Sequence, residues 1–301
     1  MTTEEELNRL RQEARGIPQN TLPGCRFGTG VIVLILFLKY RMRSPLAKIE
    51  ELLRSQYKVT TTSQGIQEML HLLKTKFNKQ YNDILEEFRN APVKHADETS
   101  FRIDGINGWC WLFATPTVAF YTIEDTRGKE VPARIFAIKS FWYPTGVLVR
   151  DDCPSYFSLS LPQQSCWAHL LRVSHDAAVH ENSSEEMKAL HKEPERMFDE
   201  LLPITLEPFA EAKRKKAYRK YTKQLTVIIK RTYQSEDSKA IQTRITNQNT
   251  NLITALLHEN SPLTNNHAER MIRPMAKSLI ASEKYQEEAG ATKVRRLTLS
   301  I

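Results

Sequence analysis

The hydrophobic period of this chain switches from about 3.6 to 2 at residue 91, and that switch limits the fold more than any other feature. Ahead of it, Leu46, Ile49, Leu52, Leu53 and Tyr57 recur at helical spacing after Pro45. A polar break, KVTTTSQG, separates them from Ile66, Met69, Leu70, Leu73 and Phe77, which resume the period. Beyond the switch, Val93, His95, Asp97, Thr99, Phe101 and Ile103 share one strand face, and Lys94, Glu98 and Arg102 share the other. GWCWLFATP and VAFYTIEDT read as further strands, KEVPARIFAIKS as a helix with Pro132 in its first turn, and GVLVRD as a short strand. Three strands, a helix and a strand predict an α/β core. Residues 185–258 return to a helical, charge-rich pattern.

The segments before the switch have two readings. Helix, short break, helix is compatible with a DNA-binding helix-turn-helix, and equally with two helices that only pack together. Residues 1–28 are polar and punctuated by Pro and Gly, as in a frayed helix and a loop. VIVLILFL, residues 31–38, is too short to span a bilayer, which needs roughly 20 apolar residues. Glu4, Glu5 and Glu6 stand where a signal peptide has positive charge. The run is therefore expected to be a buried helix, and no membrane partner is expected.

The chain has 301 residues, 41% hydrophobic and 26% charged, as a soluble globular protein does. Its net charge of +8 favours a polyanionic partner. Cys25, Cys110, Cys153 and Cys166 include no CxxC pair, which argues against a disulfide framework and for a cytoplasmic location. In EAKRKKAYRKYTKQLTVIIKR, residues 211–231, a helical projection gathers Lys213, Lys216, Arg219, Lys220, Lys223, Lys230 and Arg231 on one face. Tyr218, Tyr221, Leu225, Ile228 and Ile229 occupy the opposite face. The basic face is either solvated or contacts DNA phosphates in a salt-dependent way.

Three carboxylates attract attention. Asp97 is in phase with Val93 and Phe101, on the side expected to face the core, where an unpaired carboxylate is costly unless a cation sits against it. Asp151 ends its strand in phase with Val147 and Val149, whereas Asp152 points with Leu148 and Arg150. Glu269 has a plainer reading: Asn266 as N-cap with Glu269 three residues on, or a pair with Arg273, before Pro274 kinks or ends the helix. Three carboxylates from separated elements also suit two Mg²⁺ or Mn²⁺ ions about 4 Å apart in phosphoryl transfer. In CWAHLLR, Cys166 and His169 are half of a zinc set, and burial of Cys166 and Trp167 beside a hydrogen-bonding His169 is the simpler expectation.

HADETSFRIDGINGWCWLFATP, GVLVRDDCPSY, QQSCWAHLLR and PLTNNHAERMIRP, in this order, resemble the insertion sequence 66 family of bacterial and archaeal transposases. The resemblance implies an RNase H-like mixed-sheet core with an N-terminal helical region and a helical insertion before the last catalytic residue. It implies DDE chemistry, with Asp97, Asp151 and Glu269 as catalytic metal ligands for Mg²⁺ or Mn²⁺, and His169, His267 and Arg270 in support. It also implies cleavage and strand transfer of double-stranded DNA at element ends and target, by a homo-oligomer at the nucleoid. The expected divisions are 1–28, a flexible segment; 29–90, a helical region; 91–165, the first part of the core; 166–258, the insertion; and 259–301, the part carrying Glu269. Against the family pattern the chain reads as lacking an N-terminal cysteine-rich segment and as shortened at its C-terminus. Cys153 replaces a Tyr, and ASE at 281–283 replaces a Gly-rich segment. The alternative expectation is a non-mobile, DNA-binding remnant.

Overall fold

A computed structural model of the chain describes residues 21–103, 106–136 and 145–276. It divides between Tyr81 and Asn82 into two units.

In the first unit, α1 (Thr29–Leu36) runs into a π-helical turn (Phe37–Arg41) and is followed by α2 (Leu46–Tyr57) and α3 (Ser63–Lys76). Cys25, Ile32, Ile35, Ile49, Leu53, Ile66, Met69 and Leu73 form the core. The break between α2 and α3 is tightly specified. Lys58 takes a left-handed φ of 55°, and Thr62 Oγ1 accepts from the Gly65 amide at 3.1 Å. The Glu50 carboxylate accepts from both Ser63 N (2.6 Å) and Ser63 Oγ (2.8 Å), tying α2 to the first turn of α3. VIVLILFL is only half buried: Ile32 and Ile35 face inward, while Val33 (64%) and Phe37 (51%) are exposed. Eight consecutive apolar residues cover every side of a helix, and its neighbours contact one side. Tyr57 and Phe77 are exposed too, because the buried stripes end a turn earlier at Leu53 and Leu73.

α4 (Asn78–Asn90) leads into the sheet of the second unit. That sheet comprises β1 (Val93–Ile103), β2 (Ile106–Ala114), β3 (Ala119–Glu124), β4 (Val147–Arg150) and β5 (Gln163–Ser165), with α5 (Glu130–Ile135) between β3 and β4. The spatial order is β3-β2-β1-β4-β5. β1, β2 and β3 are antiparallel neighbours, and β4 and β5 run parallel to β1, so the sheet is mixed. The α/β expectation holds.

Alternation along β2 defines the two faces. Trp111 and Phe113 join Phe88 of α4, Phe120, Phe136 and Tyr156 in an aromatic layer with edge-to-face contacts. Leu112 and Ala114 face Ala268 and Ile272 of α10, helical over residues 266–276. β1 lies centrally and is covered on both faces, so the expected contrast between a core side and an outer side fails. Lys94, Ala96 and Glu98 are as buried as Val93 and His95. Lys94 Nζ donates to the carbonyls of Ala91 and Thr145 (2.6 Å for the latter), and burial pushes its ammonium down to about 8.

Four helices follow: α6 (Trp167–Val179), α7 (Glu185–Leu206), α8 (Glu211–Lys230) and α9 (Glu236–Gln248). They pack around Trp167, Met187, Leu190, Met197, Leu201, Tyr221, Leu225, Ile228, Ile241 and Ile245. β5 joins this layer to the sheet through buried amides. Gln164 donates to Leu252 O at 3.0 Å and accepts from the Ala255 amide at 2.7 Å, and Ser165 Oγ donates to Gln248 Oε1 at 2.6 Å. The four cysteines are buried and free, in line with the absence of a disulfide framework.

Candidate active site

The parallel ladder pairs His95 with Val149. Two residues on, the same register sets Asp97 level with Asp151, which begins the turn after β4. Each carboxylate is held by a nearby amide: Asp97 Oδ1 accepts from Glu98 N at 2.9 Å, and Asp151 Oδ1 from Cys153 N at 2.9 Å. Asp152, turned the other way, pairs with Arg244 of α9.

Glu269 arrives on α10, which is fastened to the sheet along its length. Tyr121 OH of β3 donates to Met271 O at 2.8 Å. His267 Nε2 donates to Thr115 O at 2.9 Å. At the start of the helix, Asn265 makes three bonds. Its amide donates to Cys166 Sγ (3.1 Å), its Nδ2 donates to Ala96 O (2.8 Å), and its Oδ1 meets His95 Nδ1 (3.0 Å). Because Nδ2 is the donor to Ala96, Oδ1 accepts, which places the proton of His95 on Nδ1. Burial pushes the His95 imidazole down to about 4, so it is neutral at pH 7.

The expected capping box is absent. Glu269 N donates to Asn265 O at 3.2 Å, so the helix starts at Asn266, and Asn265, the residue before it, spends its side chain on β1. Glu269 Oε2 stands 3.7 Å from Arg273 Nη2, as the pairing expectation had it. Pro274 does not end the helix within the described residues. Arg270 is exposed.

The charges converge. The Asp97 carboxyl is pushed up to about 8, first by burial and then by the negative charges of Glu98, Asp151 and Glu269. Glu98 was not anticipated. It points away from Asp97 on β1, yet its carboxylate, that of Asp151 and Cys153 Sγ lie within 4.8 Å of one another. Arg127 Nε (2.9 Å) and Nη2 (2.5 Å) donate to Glu98 Oε1, and Tyr156 OH donates to Oε2 at 2.6 Å. The acidic neighbours in ADET were the signal for it. Arg150 is the other missed residue. Fully buried, it donates to Asp151 O, Gln163 Oε1 and Gln248 Oε1 and so braces the turn that carries Asp151.

His169 departs from the expectation of a hydrogen-bonded histidine. Among the described residues its buried Nδ1 has no hydrogen-bond partner, and it lies 3.7 Å from Glu269 Oε1, also buried and unpartnered. Cys166 and Trp167 are fully buried as expected.

The basic face of α8 is narrower than its sequence suggests. Lys213 pairs with Glu207, Lys220 with Glu200 (2.8 Å) and Arg231 with Glu193. Lys216, Arg219, Lys223 and Lys230 are exposed without an ion pair among the described residues, and helical geometry puts them in one stripe. Arg214 is buried, donating to Thr205 O and Glu207 O at 3.0 Å each. No helix among the described residues is long and apolar enough to cross a membrane.

The family model described as Transposase IS66 family matches residues 24–293, a span that takes in β1, β4 and α10. The chain matches no curated protein.

Proposed function

Since the chain belongs to the IS66 transposase family, we propose that Asp97, Asp151 and Glu269 form a DDE centre that cuts and rejoins DNA. One observation carries this reading: β1, the turn after β4 and α10 bring Asp97, Asp151 and Glu269 close enough that the charges of the latter two act on the buried Asp97 carboxyl and help push it up. The charges that act on Asp97 are negative ones. The site's donors are hard oxygens, and Glu269 Oε1 is unpartnered among the described residues, so the residues fit Mg²⁺ or Mn²⁺. When bound, these cations supply Lewis acidity and neutralise the charge that develops on a scissile phosphate.

The chain's own part is positioning. β1 and β4 fix two carboxylates through the backbone ladder, and α10 brings the third against them. His95, neutral and donating to Asn265, holds α10 without adding positive charge. In the first step water adds to phosphorus at the element's end, and the bond to the leaving oxygen breaks to free a 3′-hydroxyl. In the second step that hydroxyl adds to a target phosphodiester and displaces its leaving oxygen, joining the ends. Lys216, Arg219, Lys223 and Lys230 contact the DNA backbone. Joining two ends implies at least two copies of the chain on DNA, at the nucleoid. The mixed sheet, three antiparallel strands continued by two parallel ones, supports the RNase H-like reading of the core.

The test is cleavage of DNA carrying the ends of the element, with Mg²⁺ or Mn²⁺. The parent should cut at the ends, and Asp97→Asn should abolish cutting. Equal cutting by both proteins would refute the assignment, and salt-sensitive binding without cutting would favour a remnant that only binds.

A further inference from the structure

Beside the DDE carboxylates is a donor set of different chemistry. Cys166 immediately follows β5 and serves as the N-cap of α6. His169 follows in the first turn of the same helix, and Glu269 crosses from α10. The Cys166 Sγ, a ring nitrogen of His169 and a carboxylate oxygen of Glu269 all lie within 4.8 Å of one another.

Three observations make this a built site. His169 Nδ1 and Glu269 Oε1 are both buried and unpartnered among the described residues, an arrangement that is costly unless something sits between them. Their separation is 3.7 Å. Ligands held about 2.0–2.3 Å from a tetrahedral ion stand roughly 3.3–3.8 Å apart, so the pair is already at ligand spacing. Thirdly, the thiol has a donor of its own. The Asn265 amide reaches Sγ at 3.1 Å, and Asn265 is locked to His95 and Ala96. Burial pushes the Cys166 thiol up, while the amides of Asn265, His169 and Ala168 favour its thiolate.

We propose that Cys166, His169 and Glu269 bind a thiophilic divalent cation of the zinc class, in a three-ligand site with an open fourth position that borders the Asp97–Asp151 pair. Thiolate, imidazole and carboxylate together select Zn²⁺ or Co²⁺ over Mg²⁺. A second consequence rests on the DDE reading. Glu269 is shared, so a zinc-class ion engages a carboxylate that Mg²⁺-dependent cleavage requires, and it antagonises cleavage.

Co²⁺ is the probe. Reduced, metal-stripped full-length protein titrated with Co²⁺ should develop a thiolate-to-cobalt charge-transfer band and intense tetrahedral visible bands at one equivalent, and Zn²⁺ should bleach them. Cys166→Ser should remove the charge-transfer band. His169→Ala should weaken Co²⁺ binding by more than about tenfold, the lower bound for losing even an outer-sphere partner of a metal. Asp97→Asn should keep the band, which separates this site from the DDE centre. If Cys166→Ser does not fold, the parent spectrum and His169→Ala still decide. A parent without a thiolate band at saturating Co²⁺, a band that survives Cys166→Ser, unchanged Co²⁺ affinity in His169→Ala, or a band lost in Asp97→Asn would each overturn the proposal. Metal-dependent cleavage without a cobalt band refutes this site alone, and a cobalt band without cleavage refutes the DDE reading alone.

Discussion

Asn265 Oδ1 accepts the Nδ1 proton of His95 at 3.0 Å, a hydrogen bond that joins the start of the Glu269 helix to the strand carrying Asp97. The same side chain donates to Ala96 O. Replacing Asn265 with Ala strands two buried polar groups on β1. The expected cost is about 2–6 kcal/mol, from roughly 1–3 kcal/mol for each of the two unsatisfied groups. A lowered urea midpoint for the sheet-containing unit checks it. A midpoint within error of the parent would show that α10 is held elsewhere.

Asp97 gives a pH signature. Its folded value, about 8, is raised above the ordinary 3.8. The stability it contributes is therefore complete below about pH 4 and is lost as pH rises through about 8. His95 acts in the opposite sense. Its value is depressed to about 4, so its contribution is present above about pH 6.5 and is lost as pH falls through 4. Asp97→Asn isolates the first effect. In metal-free buffer the variant should gain thermal stability relative to the parent as pH is raised from 5 to 9. A pH-independent difference in melting temperature would rule out the raised carboxyl.

Glu98 anchors Arg127 and Tyr156 at once. Arg127 is half exposed and can turn to solvent, but the Tyr156 hydroxyl is buried. Glu98→Ala should therefore cost about 1–3 kcal/mol, chiefly through the orphaned hydroxyl. Glu98→Gln, which still offers an acceptor, should cost less. Chemical denaturation of the two variants decides the order.

The α8 stripe should separate from its paired edge. Changing Lys216, Arg219, Lys223 and Lys230 together to Gln should reduce the salt dependence of DNA binding, lowering the slope by about 0.9 for every phosphate left unneutralised. Changing Lys213, Lys220 and Arg231 should leave that slope nearly intact and cost at most about 1 kcal/mol per surface pair. Fluorescence anisotropy across a salt series reads both. Equal slopes for the quadruple and the triple variant would remove α8 from the interface.

What the sequence conveyed depended on whether a residue's partner is local. Strand phase singled out Asp97 and Asp151, but for Asp97 it assumed one core-facing side, and β1 is buried on both faces, so phase alone did not separate Asp97 from Glu98. It also favoured Asp151 over Asp152, which the structure turns toward Arg244. It failed for β5, where the buried face is Gln163, Gln164 and Ser165, and apolar patterning is silent about amides that bond to distant carbonyls. Local spacing assigned the cap to Asn266, whereas it is Asn265, the residue before the helix, that is engaged, by partners about 170 residues away. The acids that neutralise Lys213, Lys220 and Arg231 lie on or just after α7, so a projection of α8 alone overstates its free charge. The exposed half of VIVLILFL was equally unreadable, since hydropathy does not say how many neighbours a helix will have.

The chain order of the three carboxylates has a temporal meaning during synthesis. Asp97 and Asp151 leave the ribosome before Glu269, the one on β1 and the other just after β4, and these two strands pair directly. Glu269 follows only after α6 to α9, and its helix docks through Asn265 onto a strand made long before. A polypeptide that stops before α10 carries Asp97 and Asp151 without Glu269, and on the DDE reading proposed above it is expected not to cleave DNA.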